Sequence, residues 1–230
     1  MSQQTMTTNG YFRPGLFRFL KDLKTHNERA WFQANKQRYE ADVQEPFLRL
    51  IADLSPALKK IGGGFIADPS PKGGSMMRIY RDIRFSKDKS PLRRRALLAC
   101  EWQRRGRSGI FPSSGTKQLR DRRRNLAARP KALKKLRDKI AGDPKGWGRA
   151  TTGGVLGSTC RMAGESLKRP PAGYDPAHPF IEDIKRKDFA ISTPLTDREV
   201  TGDDFLDLVL HRLRATAPFV QFLSNAVGLP

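Results

Sequence analysis

Residues 77–91 read MRIYRDIRFSKDKSP, and the fold class turns on this stretch. Met77, Ile79, Ile83 and Phe85 alternate as on a strand, with Arg81 interrupting. Met76, Ile79 and Ile83 also fit one face of a helix. Branched and aromatic side chains suit a pleated surface, so a strand is the expected state. In a strand, Arg78, Tyr80, Asp82 and Arg84 share one face.

Helical periodicity brackets the segment. Upstream, residues 15–24 place Leu16, Phe17, Phe19, Leu20 and Leu23 in a short apolar helix. Asn27 is a candidate N-cap for the next helix, with Glu28 near its positive end, and Trp31, Phe32, Tyr39 and Val43 follow at helical spacing. Pro46 suits a first turn. Phe47, Leu50, Ile51, Leu54, Leu58 and Ile61 then make one apolar stripe, ended by Gly62-Gly63-Gly64. Downstream, residues 131–141 carry Ala132, Leu133, Leu136 and Ile140 on one helical face, closed by Gly142. Residues 167–179 form a Pro-rich loop, 179–185 a short helix and 189–192 a short strand. Residues 202–226 are mainly helical, with Pro218 breaking or kinking them. Helices at both ends with strands between predict an α+β domain over residues 10–230, its helices packed on a small, mostly antiparallel sheet. Residues 1–9 are expected to be a disordered tail.

The 230 residues are 37% hydrophobic, enough for a globular core and too many for a disordered chain. No apolar run reaches eighteen residues, so no membrane span or membrane partner is expected. The polar start lacks the basic and apolar regions of a secretory signal. Cys100 and Cys160 are the only cysteines, too few for a disulfide framework or metal cluster, which makes the cytoplasm the expected compartment. Neither H-x-x-x-H nor C-x-x-C occurs, and Gly62-Gly63-Gly64 lacks the Lys-Ser/Thr of a phosphate loop. No metal or cofactor is expected.

The net charge is +21 and the pI about 10.6, a balance that suggests a polyanion partner. Its distribution matters more than its sum. Residues 91–130 hold twelve Lys and Arg against two acidic residues, a net of +10 and nearly half the total. The nucleic-acid reading therefore depends on this segment.

Four segments together resemble one family. They are FLKDLKTHNERAWFQANKQRYE (19–40), MRIYRDIRFSKDKSP (77–91), LKKLRDKIAGDP (133–144) and SLKRPPAGYDPAHP (166–179). They resemble the family of conserved hypothetical proteins called domain of unknown function 2461, and R-x-x-R-D-x-R-F-S-K-D-K-x-P is the specific part. The resemblance implies no established activity. It fails over 91–130, where the family has a strand pair similar to F-Y-L-H-L-E-P-G-x-S-F-V-x-A-G-x-W-x-P-D-P. The genetic code suggests why. If each codon is read from its second base, residues 110–130 can encode YFxHLEPSNFVTAGGIWQPDP, and Leu92 can become the family's Tyr. A frameshift near Ser90, compensated near Pro130, is the expectation, with residues 92–129 poorly ordered. A genuine arginine-rich nucleic-acid loop is the rival. Resequencing the coding DNA decides, because an intact frame relative to close relatives removes the frameshift.

Arg78, Arg81, Asp82, Arg84, Lys87 and Lys89, with Asp88, make the first candidate site. Arginine forks match phosphate or carboxylate oxygens in bidentate fashion, and lysine adds point charge. The competing reading is an internal ion-pair lattice neutralised by Asp82 and Asp88. Lys168, Arg169, Tyr174 and His178, with Asp175, form a secondary candidate, in which His178 is a possible proton carrier near neutral pH. There the competing reading is a structural loop. His26, His211, Trp31, Phe32 and Tyr39 read as surface or core residues. The expected function is binding of a small phosphorylated or carboxylated ligand in a basic cleft. An enzyme using that cleft, or nucleic-acid binding through the Arg-rich segment, is the alternative.

Overall fold

A computed structural model describes residues 10–61, 65–71, 73–76, 78–81, 84, 89–92, 101–102, 112–113, 130–152 and 160–228. Helix α1 (Pro14–Thr25) starts on a proline, whose missing N–H costs nothing in a first turn. It buries Leu16, Phe19 and Leu23. Helices α2 (Arg29–Ala34) and α3 (Lys36–Tyr39) follow, then a π-helical stretch (Glu40–Gln44) leading into α4 (Glu45–Ile61). The stripe read from the sequence is the buried face of α4: Phe47, Leu50, Ile51, Leu54 and Leu58. Strands β1 (Phe65–Ile66), β2 (Glu101–Trp102) and β3 (Pro112–Ser113) are two residues each. Helices α5 (Pro130–Gly142) and α6 (Pro144–Thr152) are joined through Asp143. Its carboxylate accepts from Gly146 N–H at 2.9 Å and so serves the start of α6. Next come β4 (Arg161–Ala163), α7 (Ile181–Ile184), β5 (Ala190–Pro194), α8 (Asp197–Thr201) and the 23-residue α9 (Phe205–Val227).

The fold is mainly helical, which corrects the α+β expectation. Among the described residues no small, mostly antiparallel sheet underlies the helices. The longest strand has five residues. β1 pairs with β2 over two residues, and β5 lies between an antiparallel β4 and a parallel β3. The described residues of the stretch expected to be a strand contribute one antiparallel bridge, Tyr80 to Leu92. Beside the bridge, Arg81 N–H donates to Pro91 O at 2.9 Å, but proline has no N–H to return, so that pair is held by one bond where a ladder has two.

Packing replaces the sheet. Phe12, Phe19, Phe47, Leu50 and Ile51 join Trp147, Phe205, Leu213 and Phe219 in one buried cluster. Trp147 is fully buried, and its ring meets Phe189, Phe219 and Phe222 at centroid distances of 5.1–5.8 Å. Pro218 lies inside a helix that continues past it. Residues 10–12 strap the first half of the chain to the last. Gly10 N–H donates to the Asp203 carboxylate at 2.9 Å, and the Tyr11 hydroxyl to Asp53 at 2.6 Å. The Phe12 ring packs on Phe47 and Phe205.

Residues 93–129 lie outside the described residues, apart from the two-residue pairings of β2 and β3, as do residues 1–9 and Gly62-Gly63-Gly64. The frameshift and tail expectations therefore fall on residues not described. Leu92 departs from the expectation for its segment: it is fully buried in the core.

Candidate functional site

The basic segment forms a loop closed at its base. Tyr80 bridges Leu92, and Arg81 donates twice across the base: its N–H to Pro91 O, and its guanidinium to Ser90 O at 3.2 Å. A helix junction supplies the second tie. Asn27 Nδ2 donates to Leu92 O at 3.2 Å, and Asn27 Oδ1 accepts from Leu92 N–H at 3.0 Å. Asn27 thus brackets one residue's main chain as a neighbouring strand would. This corrects its expected role, because the N-cap of α2 is Glu28, with no side-chain capping bond. A third contact holds the outer edge. The Tyr80 hydroxyl accepts from Gln33 Nε2 at 3.1 Å, and its ring stands edge-on to Phe32.

Arg78, Arg84 and Lys89 are exposed, and Arg81 is half-buried. Each makes at least one polar or electrostatic contact. Asp82, Lys87 and Asp88 lie outside the described residues. Among the described residues, Arg78, Tyr80 and Arg84 do not line one face of a strand: Tyr80 makes one bridge, and Arg78 and Arg84 lie in no strand.

The secondary candidate separates into parts. Gly173 turns at φ +86°, which only glycine adopts without strain. This presents the Tyr174 hydroxyl to Asp138 of α5 at 2.8 Å. Burial, then the Asp138 carboxylate, pushes the Tyr174 phenol up to about 12. His178 organises the entry to α7. Its Nδ1 accepts from Phe180 N–H at 3.1 Å, and its carbonyl from Ile181 N–H at 2.9 Å. An accepting Nδ1 places the neutral ring's proton on Nε2, a buried atom with no partner among the described residues. Lys168 and Arg169 are exposed and join neither Tyr174 nor His178 by hydrogen bond. The loop reads as structure.

Sequence reasoning missed the polar joint beside it. Arg137 of α5 donates to the carbonyls of Ile184 at 2.7 Å and Arg186 at 2.9 Å. Asp183 accepts from Trp147 Nε1 at 2.8 Å and from Arg186 Nε at 3.1 Å. The D-x-x-R spacing of Asp183 and Arg186 was a local signal. Arg137, nearly fifty residues away, gave none.

Both clusters fall within residues 15–222, which match the family model for conserved hypothetical protein, domain of unknown function 2461. The chain belongs to that family. No curated protein and no solved structure matches it. The residues matched to domain of unknown function 2461 take in the basic loop, the Asn27 tie and the Arg137 joint. Among its described residues no helix is long and apolar enough to cross a membrane.

Proposed function

We propose that the loop spanning residues 78–89 binds a small oxyanion, phosphate or carboxylate. One observation carries this reading: the loop's base is fixed. Arg81 and Asn27 tie the residues at the base to main-chain groups, and residues 78–89 hold five cations against two carboxylates. Positive charge concentrated on a fixed frame raises the local potential, and arginine's planar fork suits oxyanion geometry. The Ser90 carbonyl orients the Arg81 guanidinium and brings no countercharge of its own.

The test is calorimetric titration of the full chain with inorganic phosphate, nucleotides and short oligonucleotides at two salt concentrations. Phosphate or nucleotide should bind saturably, with weaker binding for Arg84→Lys, which keeps charge and loses the fork. No binding, or unchanged binding in Arg84→Ala, leaves these arginines as structure. Oligonucleotide binding with a steep log–log salt slope would instead favour the Arg-rich segment as a nucleic-acid contact. Turnover in a phosphatase or esterase screen, abolished by Asp82→Ala, would make the loop an active site.

A further inference from the structure

A groove of about 460 Å³ opens between α4 and α9, away from both candidate clusters. Its origin is in the sequence of the two helices. Each carries an internal proline, Pro56 in α4 and Pro218 in α9. Neither proline can return a hydrogen bond to the carbonyl four residues back. Small side chains, Ala57 and Ala217, line the gap, and small facing residues leave volume where larger ones would interdigitate. Pro56 and Ile61 complete an apolar lining, and the volume lies in the range of small-molecule sites.

The charged members are Lys60, Arg214 and Asp53. Asp53 is engaged, accepting the Tyr11 hydroxyl at 2.6 Å. Among the described residues Lys60 and Arg214 make no hydrogen bond or ion pair. Two cations from facing helices thus border an apolar lining whose one carboxylate already holds a partner. We infer that this groove binds a small monocarboxylate with an aliphatic chain. Its carboxylate would be taken by Arg214 and Lys60, and its apolar part would lie along Pro56, Ala57, Ile61 and Ala217. Charge complementarity selects the anion, and the lining selects the hydrocarbon.

The experiment is calorimetric titration of the full chain with octanoate and, separately, with 1-octanol. Octanoate should bind saturably and octanol at least roughly tenfold more weakly, the ratio expected when a charge-assisted contact is lost. Lys60→Gln and Arg214→Gln, both at exposed positions, should each weaken octanoate by about the same factor. Asp53→Asn should tighten it, because a nearby like charge is removed. Ala217→Leu fills the groove and should abolish binding, with a thermal melt checking that the variant folds. Arg84→Ala should leave octanoate binding unchanged, which keeps this site separate from the phosphate loop. Absence of saturable octanoate binding, equal binding of octanol, or indifference to the Lys60→Gln/Arg214→Gln pair overturns the inference.

Discussion

The junction around Arg212 and the base of the 80–92 loop both use an arginine guanidinium to reach a main-chain oxygen, and they are built differently around it. Arg212 on α9 is buried. It donates to Thr193 Oγ1 and Pro194 O of β5 and to the Glu199 carboxylate of α8, the last at 2.6 Å. Glu199 also closes a capping box with Thr196, so the carboxylate that receives the arginine is the one that starts the helix. At the loop, Arg81 bonds carbonyls, the amide of Asn27 brackets Leu92, and Gln33 holds Tyr80. The first junction couples a local helix start to a tertiary ion pair. The second fixes the base of a loop through bonds to main-chain groups, among them the carbonyls of Ser90, Pro91 and Leu92. A buried ion pair is costly to break because the surviving charge is stranded. A main-chain tie is costly only to the extent that it orphans buried amide groups.

Breaking the first junction should have the largest effect. Arg212→Ala removes three bonds and leaves Glu199 without its cation, so the urea midpoint should fall by the equivalent of about 3 kcal/mol. Asn27→Ala comes next, at about 2 kcal/mol, since both the donor and the acceptor of buried Leu92 lose a partner. A loss as large as that of Arg212→Ala would erase the distinction between the two junctions.

Glu199→Gln sharpens it through pH. The Thr196 main-chain N–H, then the Thr196 hydroxyl and Arg212, hold the Glu199 carboxyl below its usual range. A depressed folded value means the stabilisation is complete above the unfolded value, about 4.3, and is lost as pH falls through the folded one. The deficit of Glu199→Gln, about 1.5 kcal/mol at neutral pH, should therefore shrink on acidification. The Asn27→Ala deficit should stay constant over the same window. Denaturant titrations of both variants at several pH values check the contrast. Arg81→Met should have the smallest effect, below about 1 kcal/mol in the global midpoint, while proteolysis between residues 81 and 91 accelerates because the loop opens locally.

Helices were legible because their signal is local and repeated. The apolar stripe of α4 and the Pro14–Thr25 helix follow from spacing alone. The capping box Thr196-x-x-Glu199 was equally legible, and it marks an α8 that the periodicity reading passed over. Among the described residues of 77–85 no strand forms, for a reason that spacing cannot carry. Alternation says which face a residue would take, but a strand also needs a partner able to donate, and Pro91 cannot. Asn27 was misread because Asn beside a helix start usually caps it, whereas here the chain brings Leu92, sixty-five residues later, within reach of the same amide. For the candidate site, the arginines of the basic loop were visible as charge. The bonds that fix its base depend on pairings across the loop and with α1–α2, and no local pattern encodes those. The groove between α4 and α9 was present in the sequence only as two prolines and two alanines in separate helices.

The strap at residues 10–12 sets a timetable for synthesis. Phe47, its first ring partner, is translated soon afterwards, but Asp203 and Phe205 follow only after some 193 further residues. At about 5–20 residues per second, the strap waits on the order of ten to forty seconds for its final partners. During that interval the face of α4 that receives α9 is exposed to whatever else is in the cell. The hazard for this chain thus lies in its unfinished state, and slowing translation ahead of α9 would lengthen it.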